Sequence, residues 1–255
     1  MQDRTFHSDA LNSDVTYRII EPVTFQPGKP VKVVYLLHGK GEDFRIWSIA
    51  TPIAQLAAKG YMLVMPDGRS SYFMNSATRP GDRFENFITH DLIADAERGL
   101  ASQVKPQDRA IIGNSMGGFA AIVLLFKHPG LYGFAGALSP PVEVPSRPFT
   151  VRRLSQSLSY RAIFGPVGSV SRRGNDPFVL ARSADPKVTS YLYLSVGDHE
   201  GLRDPVTQFE DILQARHIPH EFHLEPGSHN WQQWNHELPL LLDALESKHE
   251  STTQP

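Results

Sequence analysis

The stretch Arg109-Ala110-Ile111-Ile112-Gly113-Asn114-Ser115-Met116-Gly117-Gly118 decides the fold. It joins a short apolar run to the pattern G-x-S-x-G, and an apolar, Ala-rich segment follows up to residue 128. A serine in this pattern lies on a turn from a strand into a helix that is so tight that only small residues fit beside it. The pattern also occurs in ordinary loops, so a purely structural serine is the alternative. The strand before Ser115 and the helix after it favour a nucleophile.

The same alternation of strand-like and helix-like segments continues on both sides of Ser115. Short apolar runs predict strands at 31–37, 61–65, 109–112, 134–138, 190–196 and 220–224. Helical spacing predicts helices at 44–59, 84–100, 116–128, 204–215 and 231–247, with Asp204 and Pro205 as N-cap and first residue of the fourth. This alternation is typical of a mostly parallel sheet flanked by helices. We expect an α/β-hydrolase fold of about eight strands in a single domain over residues 1–255.

The rhythm breaks between about residues 140 and 187. This stretch has no clear strand or helix periodicity and is rich in Pro, Ser and Gly, with seven arginines. Loops of this length in compact domains are usually functional or disordered. We interpret the segment as an inserted lid; the alternative is a surface insertion without a role.

The composition narrows the possible partners and chemistries. A formal charge of -2 and a pI near 6.6 give no electrostatic reason to expect nucleic acid or an anionic membrane as partner, so a small-molecule ligand is expected. The absence of cysteine excludes disulfides, thiolate metal sites and a cysteine nucleophile. The N-terminus, residues 1–8, is polar and lacks the apolar stretch of a signal peptide, and no later run approaches the roughly 18 apolar residues of a membrane span. The cytoplasm is the simplest location, and a secreted or periplasmic origin stays open if a signal peptide was removed.

A serine hydroxyl needs an adjacent base to become a good nucleophile. His229 is the candidate, because it follows Pro226-Gly227-Ser228 at the end of a predicted strand and therefore at the same sheet edge as Ser115. A solvent-exposed loop histidine is the alternative. His217, His220 and His223 do not suggest a zinc site, since the last two lie on opposite faces of one strand.

The third member of such a triad is an acid that orients the histidine. It is expected in the loop Gly197-Asp198-His199-Glu200-Gly201, where position alone does not choose between Asp198 and Glu200. Two backbone N–H groups are expected to hold an oxyanion: that of Met116 at a helix N-terminus and that of Lys40 after the strand at 31–37. Gly39-Lys40-Gly41 does not fit a dinucleotide-binding loop, because Phe44 occupies the position of the third glycine.

The motifs resemble those of an esterase family that includes S-formylglutathione hydrolases, feruloyl and acetylxylan esterases, and antigen 85 mycolyltransferases. The resemblance covers most of the chain. The matching motifs are Tyr35-Leu36-Leu37-His38-Gly39, Pro66-Asp67-Gly68, Ser71-Tyr72-Phe73-Met74-Asn75, Gly113-Asn114-Ser115-Met116-Gly117-Gly118 and Gly227-Ser228-His229-Asn230-Trp231.

The resemblance also bears on the acid. Family members usually carry it as G-x-x-D, and the matching position after Gly197 is Glu200. The residue is Glu rather than Asp, as in the mycolyltransferase branch, and Asp198 stays the alternative.

The expected activity is hydrolysis of a small-molecule carboxylic ester through a Ser-His-acid triad and an acyl-enzyme, which needs neither a metal nor an organic cofactor. Alternatives are an acyltransferase that uses the same acyl-enzyme, a thioesterase such as an S-formylglutathione hydrolase, and a non-catalytic binding protein on this fold. Asn75, Tyr72, Trp231 and Trp234 either line a substrate pocket or support the packing. The sequence does not indicate which ester is the substrate or the oligomeric state.

Overall fold

The computed structural model describes residues 1–23, 31–100 and 104–251, with the side chains of the last two residues of the third range excepted. A single eight-stranded sheet organises them, in the order β1-β2-β4-β3-β5-β6-β7-β8. The first two strands are antiparallel to their neighbours, and the other pairings are parallel. The predicted mostly parallel sheet of about eight strands is therefore confirmed. The strands are β1 (Gln2–Ser8), β2 (Ser13–Ile20), β3 (Lys32–Leu37), β4 (Tyr61–Pro66), β5 (Arg109–Asn114), β6 (Phe134–Leu138), β7 (Tyr191–Gly197) and β8 (His220–Glu225).

Helices cover both faces of the sheet. The strands β4, β5 and β6 are buried along their whole length, which explains why they are apolar runs without alternation. One core contains Phe119 and lies under α5 and α9, and the other contains Trp47 and Trp234 and lies under α1, α2 and α10. The helices are α1 (Ile46–Ala50), α2 (Gln55–Ala58), α3 (Phe84–Asn86), α4 (Leu92–Ala96), α5 (Met116–Lys127), α6 (Leu154–Phe164), α7 (Val170–Arg173), α8 (Pro177–Ser183), α9 (Arg203–Ala215) and α10 (Trp231–Ser251), and a π-helical turn at Phe87–Asp91 joins α3 to α4.

Two helix predictions are wrong in detail. The predicted helix 44–59 is divided into α1 and α2, because Thr51 is extended (φ -134°, ψ 158°) before Pro52, as residues preceding proline prefer to be. The Asp204–Pro205 pair does not begin α9. That helix begins at Arg203 with Leu202 at its cap, and Pro205 lies in the first turn, where a missing N–H costs no hydrogen bond.

The segment 140–187 is helical, contrary to the absence of periodicity in its sequence. It contains α6, α7 and α8, and the buried side of α6 is formed by Ser157, Tyr160, Ile163 and Phe164. Arg172 anchors it: this buried guanidinium donates to the carbonyl oxygens of Pro145, Gly165 and Arg147 at 2.6, 3.2 and 2.7 Å. Because polar contacts such as those of Arg172 hold this segment, its helices cannot be recognised from the spacing of apolar residues. The role of the segment as a lid stays a prediction.

Candidate active site

Ser115 lies between β5 and α5 in a strained backbone conformation, with φ 49° and ψ -114°. A side chain on Gly113 would collide with the backbone of Gly117, and one on Gly117 would collide with the Leu37 carbonyl. The backbone N–H of Ser115 donates to the carbonyl oxygen of Leu138 on β6 at 2.8 Å. The close approach of three segments therefore requires the glycines and holds Ser115 at the carboxyl edge of the sheet.

The imidazole of His229 lies between Ser115 and Glu200. Its Nε2 is 2.8 Å from the Ser115 Oγ, and its Nδ1 is 2.7 Å from the Glu200 Oε2. Because a carboxylate can only accept, Nδ1 is the donor to Glu200, and Nε2 is the ring nitrogen that faces the serine hydroxyl. The histidine side chain is 40% exposed, whereas the Glu200 side chain is completely buried.

The second carboxylate oxygen of Glu200 is fixed by two donors. It accepts from the backbone N–H of Gly197 at 3.0 Å and from the Ser139 hydroxyl at 2.6 Å. The Ser139 oxygen accepts in turn from the indole N–H of Trp234 at 3.0 Å. Ser139 is buried and has a positive φ of 48° directly after β6. Sequence reasoning missed this residue; its one signal is its position at the end of a strand at the same sheet edge.

Asp198, the alternative acid, lies elsewhere in the same loop. Its carboxylate accepts the backbone N–H of Gly227 at 2.9 Å and contacts the His199 imidazole at 2.5 Å. The N–H of Gly227, followed by His199, lowers the pKa of the Asp198 carboxyl. Asp198 therefore links the loops after β7 and β8 by a hydrogen bond, whereas Glu200 contacts His229.

Lys40 and Met116 carry the two backbone N–H groups that the sequence predicts as oxyanion donors. Within the described residues, neither backbone N–H donates to another group of the chain. Met116 is the first residue of α5, where helix N–H groups lack partners, and Lys40 lies in the turn after β3. Both N–H groups are thus free to receive an external acceptor.

Glu42 fixes the turn that carries Lys40, and sequence reasoning missed it. One of its carboxylate oxygens accepts from the Gly39 N–H at 2.7 Å and from the Asn114 side-chain amide at 3.1 Å. The other accepts from the indole N–H of Trp231 at 2.6 Å. A single carboxylate thus connects the turn after β3, the residue before Ser115 and the start of α10.

His38 fixes the same turn from the side of the core. The buried imidazole donates from Nδ1 to the Gly39 carbonyl oxygen at 2.7 Å and accepts the Gly68 N–H at Nε2 at 2.9 Å. The two partners fix the orientation of the ring, with the Nδ1 proton directed at the Gly39 carbonyl oxygen. Since the Gly39 carbonyl and the Lys40 N–H belong to one planar peptide group, His38 also sets the direction of that N–H.

The open side of the site is a cavity of about 330 Å³. Trp231 and Trp234 lie in its wall, as two of the four predicted pocket residues. Tyr72 does not line it and is buried against Phe119 and Phe164, and the Asn75 side chain is occupied by Asn86. The lining residues are Gly39, Lys40, Glu42, Asn114, Ser115, His229, Asn230, Trp231 and Trp234.

The described ranges contain no group of three or more His, Cys, Asp or Glu side chains that could hold a metal ion. Nor does any helix in those ranges have the length and apolar character needed to cross a membrane. His220 and His223 each lie beside glutamates, Glu210 for the first and Glu221 for the second.

A family model described as "Putative esterase" matches residues 8–244. An acetyl esterase of Caldicellulosiruptor saccharolyticus is 24% identical over 246 residues, which cover 90% of this chain and 92% of that protein. The diacylglycerol acyltransferase/mycolyltransferase Ag85A of Mycobacterium gordonae is 25% identical over 249 residues, 84% of this chain and 72% of that protein.

Solved structures agree with these sequence matches in fold. FphF, a fluorophosphonate-binding serine hydrolase of Staphylococcus aureus, superposes with a TM-score of 0.80 at 22% identity, and the match covers 97% of each chain. The predicted α/β-hydrolase fold is thereby confirmed. Because the family model spans most of the sequence, the chain belongs to the esterase family that its motifs predict.

Proposed function

We propose that this protein is a serine esterase that hydrolyses a small-molecule carboxylic ester through an acyl-enzyme on Ser115. The observation that carries the proposal is the hydrogen-bonded series from Ser115 through His229 to the buried Glu200, with contacts of 2.8 and 2.7 Å. This is the arrangement of nucleophile, base and orienting acid from which acyl transfer proceeds.

In the acylation step, the Nε2 atom of His229 takes the hydroxyl proton while the Ser115 oxygen attacks the ester carbonyl carbon. The carbonyl oxygen becomes an oxyanion, which the N–H groups of Lys40 and Met116 stabilise by hydrogen bonds. Glu200 stabilises the imidazolium that forms. The bond to the alcohol oxygen then breaks, and His229 returns its proton to the departing alcohol.

In the deacylation step, His229 takes a proton from a water molecule, whose oxygen attacks the acyl carbon. The bond to the Ser115 oxygen breaks, the serine regains its proton from His229, and the carboxylic acid leaves. The 40% exposure of the His229 side chain supports water as the acceptor, because solvent reaches the base from the open cavity. Transfer to an alcohol and hydrolysis of a thioester use the same steps and remain alternatives.

The test is turnover of p-nitrophenyl acetate by the purified protein and by the Ser115→Ala variant. We expect a loss in kcat/KM of at least about 10³-fold, since removing the nucleophile of a triad leaves only binding and oxyanion stabilisation. Ser183→Ala, at an exposed serine of α8, is the matched control and should retain activity. Unchanged turnover in Ser115→Ala, with a thermal melt that shows both variants folded, would contradict the proposal.

The alternatives are separated in the same assay. A thioester of matched acyl group tests the thioesterase, and a competing alcohol tests transfer through the yield of the new ester. Hydrolysis predicts that free acid stays the main product at all alcohol concentrations. A product that is mostly the new ester would favour the transferase.

A further inference from the structure

A second cavity of about 470 Å³ adjoins the one that contains Ser115. Lys40 lines both cavities, so they meet at this residue. The rest of the second cavity comes from the start of α6 and the turn before it. Its lining residues are Lys40, Arg152, Arg153, Leu154, Ser155, Gln156 and Ser159.

The three cationic side chains of this cavity are unpaired in the part of the chain that the structure describes. Within the described ranges, Lys40, Arg152 and Arg153 form no ion pair and no side-chain hydrogen bond. Of the other cationic side chains that the structure describes, ten lie within 4 Å of a carboxylate. These are Arg4, Arg18, Arg45, Lys59, Arg79, Arg98, Arg109, Lys127, Arg147 and Arg203.

Local hydrogen bonds fix the backbone that presents the two arginines. The Thr150 hydroxyl accepts from the Arg152 N–H at 3.3 Å, and the Thr150 N–H donates to the Ser157 hydroxyl at 3.1 Å. Ser157 and Tyr160 face the body of the protein, which leaves Arg152 and Arg153 exposed at the cavity. The first turn of α6 contains no acidic side chain that would offset these charges.

We propose that this second cavity is a subsite for an anionic group of the ester substrate, a carboxylate or a phosphate, which one substrate molecule places there while its carbonyl lies at Ser115. The inference rests on the proposed function and adds the substrate class. Guanidinium groups match the geometry of carboxylate and phosphate oxygens, and the positive end of α6 acts in the same direction. Leu154 provides an apolar wall for the carbon chain that links the anion to the ester.

The charge distribution around Ser115 places the anion on the side of Lys40. Glu42 is the carboxylate in the wall of the catalytic cavity, where it accepts from the Trp231, Gly39 and Asn114 donors, and it does not line the second cavity. An anion near Glu42 would be repelled, whereas an anion beyond Lys40 meets three positive charges.

The test compares matched anionic and neutral esters. The monoester of adipic acid with p-nitrophenol, against its methyl ester, places the charge on the acyl side; 2-acetoxyethyl phosphate, against 2-methoxyethyl acetate, places it on the alcohol side. At low ionic strength we expect kcat/KM to favour the anionic member of at least one pair by about three- to tenfold, the range for a few partly exposed charges. Added salt should reduce this preference, because it screens exposed charges.

The double variant Arg152→Gln/Arg153→Gln should lower the ratio of anionic to neutral kcat/KM toward one. The matched double variant Arg161→Gln/Arg182→Gln removes the same number of positive charges at exposed residues outside the cavity lining and should retain the wild-type ratio. An unchanged ratio in the double variant, or a wild-type preference for the neutral esters, would overturn the subsite. Failure of the proposed function looks different: neither ester of a pair is then turned over in a Ser115-dependent way.

Discussion

The sheet edge at Ser115 and the outer side of the segment 140–187 use polar groups in opposite ways. At the sheet edge, both carboxylate oxygens of Glu200 and both nitrogens of His229 have partners within the chain. On the outer side, the guanidinium groups of Arg152 and Arg153 have none among the described residues. Polar groups that position other residues have their hydrogen-bond partners inside the fold. Polar groups without such partners are available to a ligand. The following changes test this contrast, in order of expected effect.

The largest effect is expected at the acid. Glu200→Gln keeps the shape but removes the charge that stabilises the imidazolium and can reverse the Nδ1 hydrogen bond, so kcat should fall by about 10³-fold, or about 4 kcal/mol. Asp198→Asn, two residues away in the same loop, should change kcat by less than about tenfold. Steady-state kinetics of both variants measure the difference. If Asp198→Asn were the more damaging change, the triad acid would be Asp198.

The next largest effect is on stability and concerns Arg172, the buried arginine of the segment 140–187 whose guanidinium is hydrogen-bonded within the fold. Burial lowers the pKa of Arg172, whose guanidinium satisfies three carbonyl groups. Arg172→Gln removes most of these bonds, and we expect a loss of about 3 kcal/mol in the free energy of unfolding. The exposed neighbour Arg173 provides the control, because Arg173→Gln should cost less than about 0.5 kcal/mol. Chemical denaturation measures both, and equal losses would remove the distinction between the two arginines.

A smaller effect is expected at Ser139, which we place as a positioning residue. Ser139→Ala deletes the hydroxyl between Trp234 and Glu200, and we expect kcat to fall about tenfold, or about 1.4 kcal/mol, with KM nearly unchanged. The reason is that the carboxylate loses one of its two fixed donors while the cavity wall keeps its shape. A rise in KM with kcat unchanged would mean that the residue acts on binding through Trp234.

The smallest effect concerns Glu237, a buried carboxyl on α10 that contacts Ser195 and accepts from Gln233 at 2.5 Å. Burial raises its pKa above the ordinary 4.5, and Glu200 adds to the rise. The folded protein therefore binds this proton more tightly than the unfolded chain does. Its stabilising contribution is fully present below pH 4.5 and is lost as the pH rises through the folded-state pKa.

The Glu237→Gln variant should not show this loss of stability as the pH rises. The free energy of unfolding of the wild type, relative to the variant, should therefore fall as the pH is raised above 4.5. Denaturation curves at a series of pH values measure the difference. A difference that stays constant, or that changes in the other direction, would show that the proton on Glu237 is not coupled to folding.

Local sequence patterns predicted the structural features that depend on short stretches of the chain. The turn at Ser115 and the strands β5 and β6 follow from a few adjacent residues, and His229 follows from its place at the end of a strand. Ser139 and Glu42 could not be predicted in this way, because each has a partner far away in the sequence. Ser139 contacts Glu200, 61 residues away, and Glu42 contacts Trp231, 189 residues away. Periodicity also failed at Thr51–Pro52, where apolar spacing continues across a residue that ends a helix.

The residue at position 40 separates substrate preference from the chemical step, two properties that usually change together. Its backbone N–H, which every amino acid except proline possesses, is the predicted oxyanion donor, and the residue lines both the catalytic cavity and the second cavity. On both proposals, a replacement there other than proline would alter which molecules are attracted and would leave the chemical step its donor. Substrate preference would then change through a single substitution at the rim while the proposed reaction stays the same.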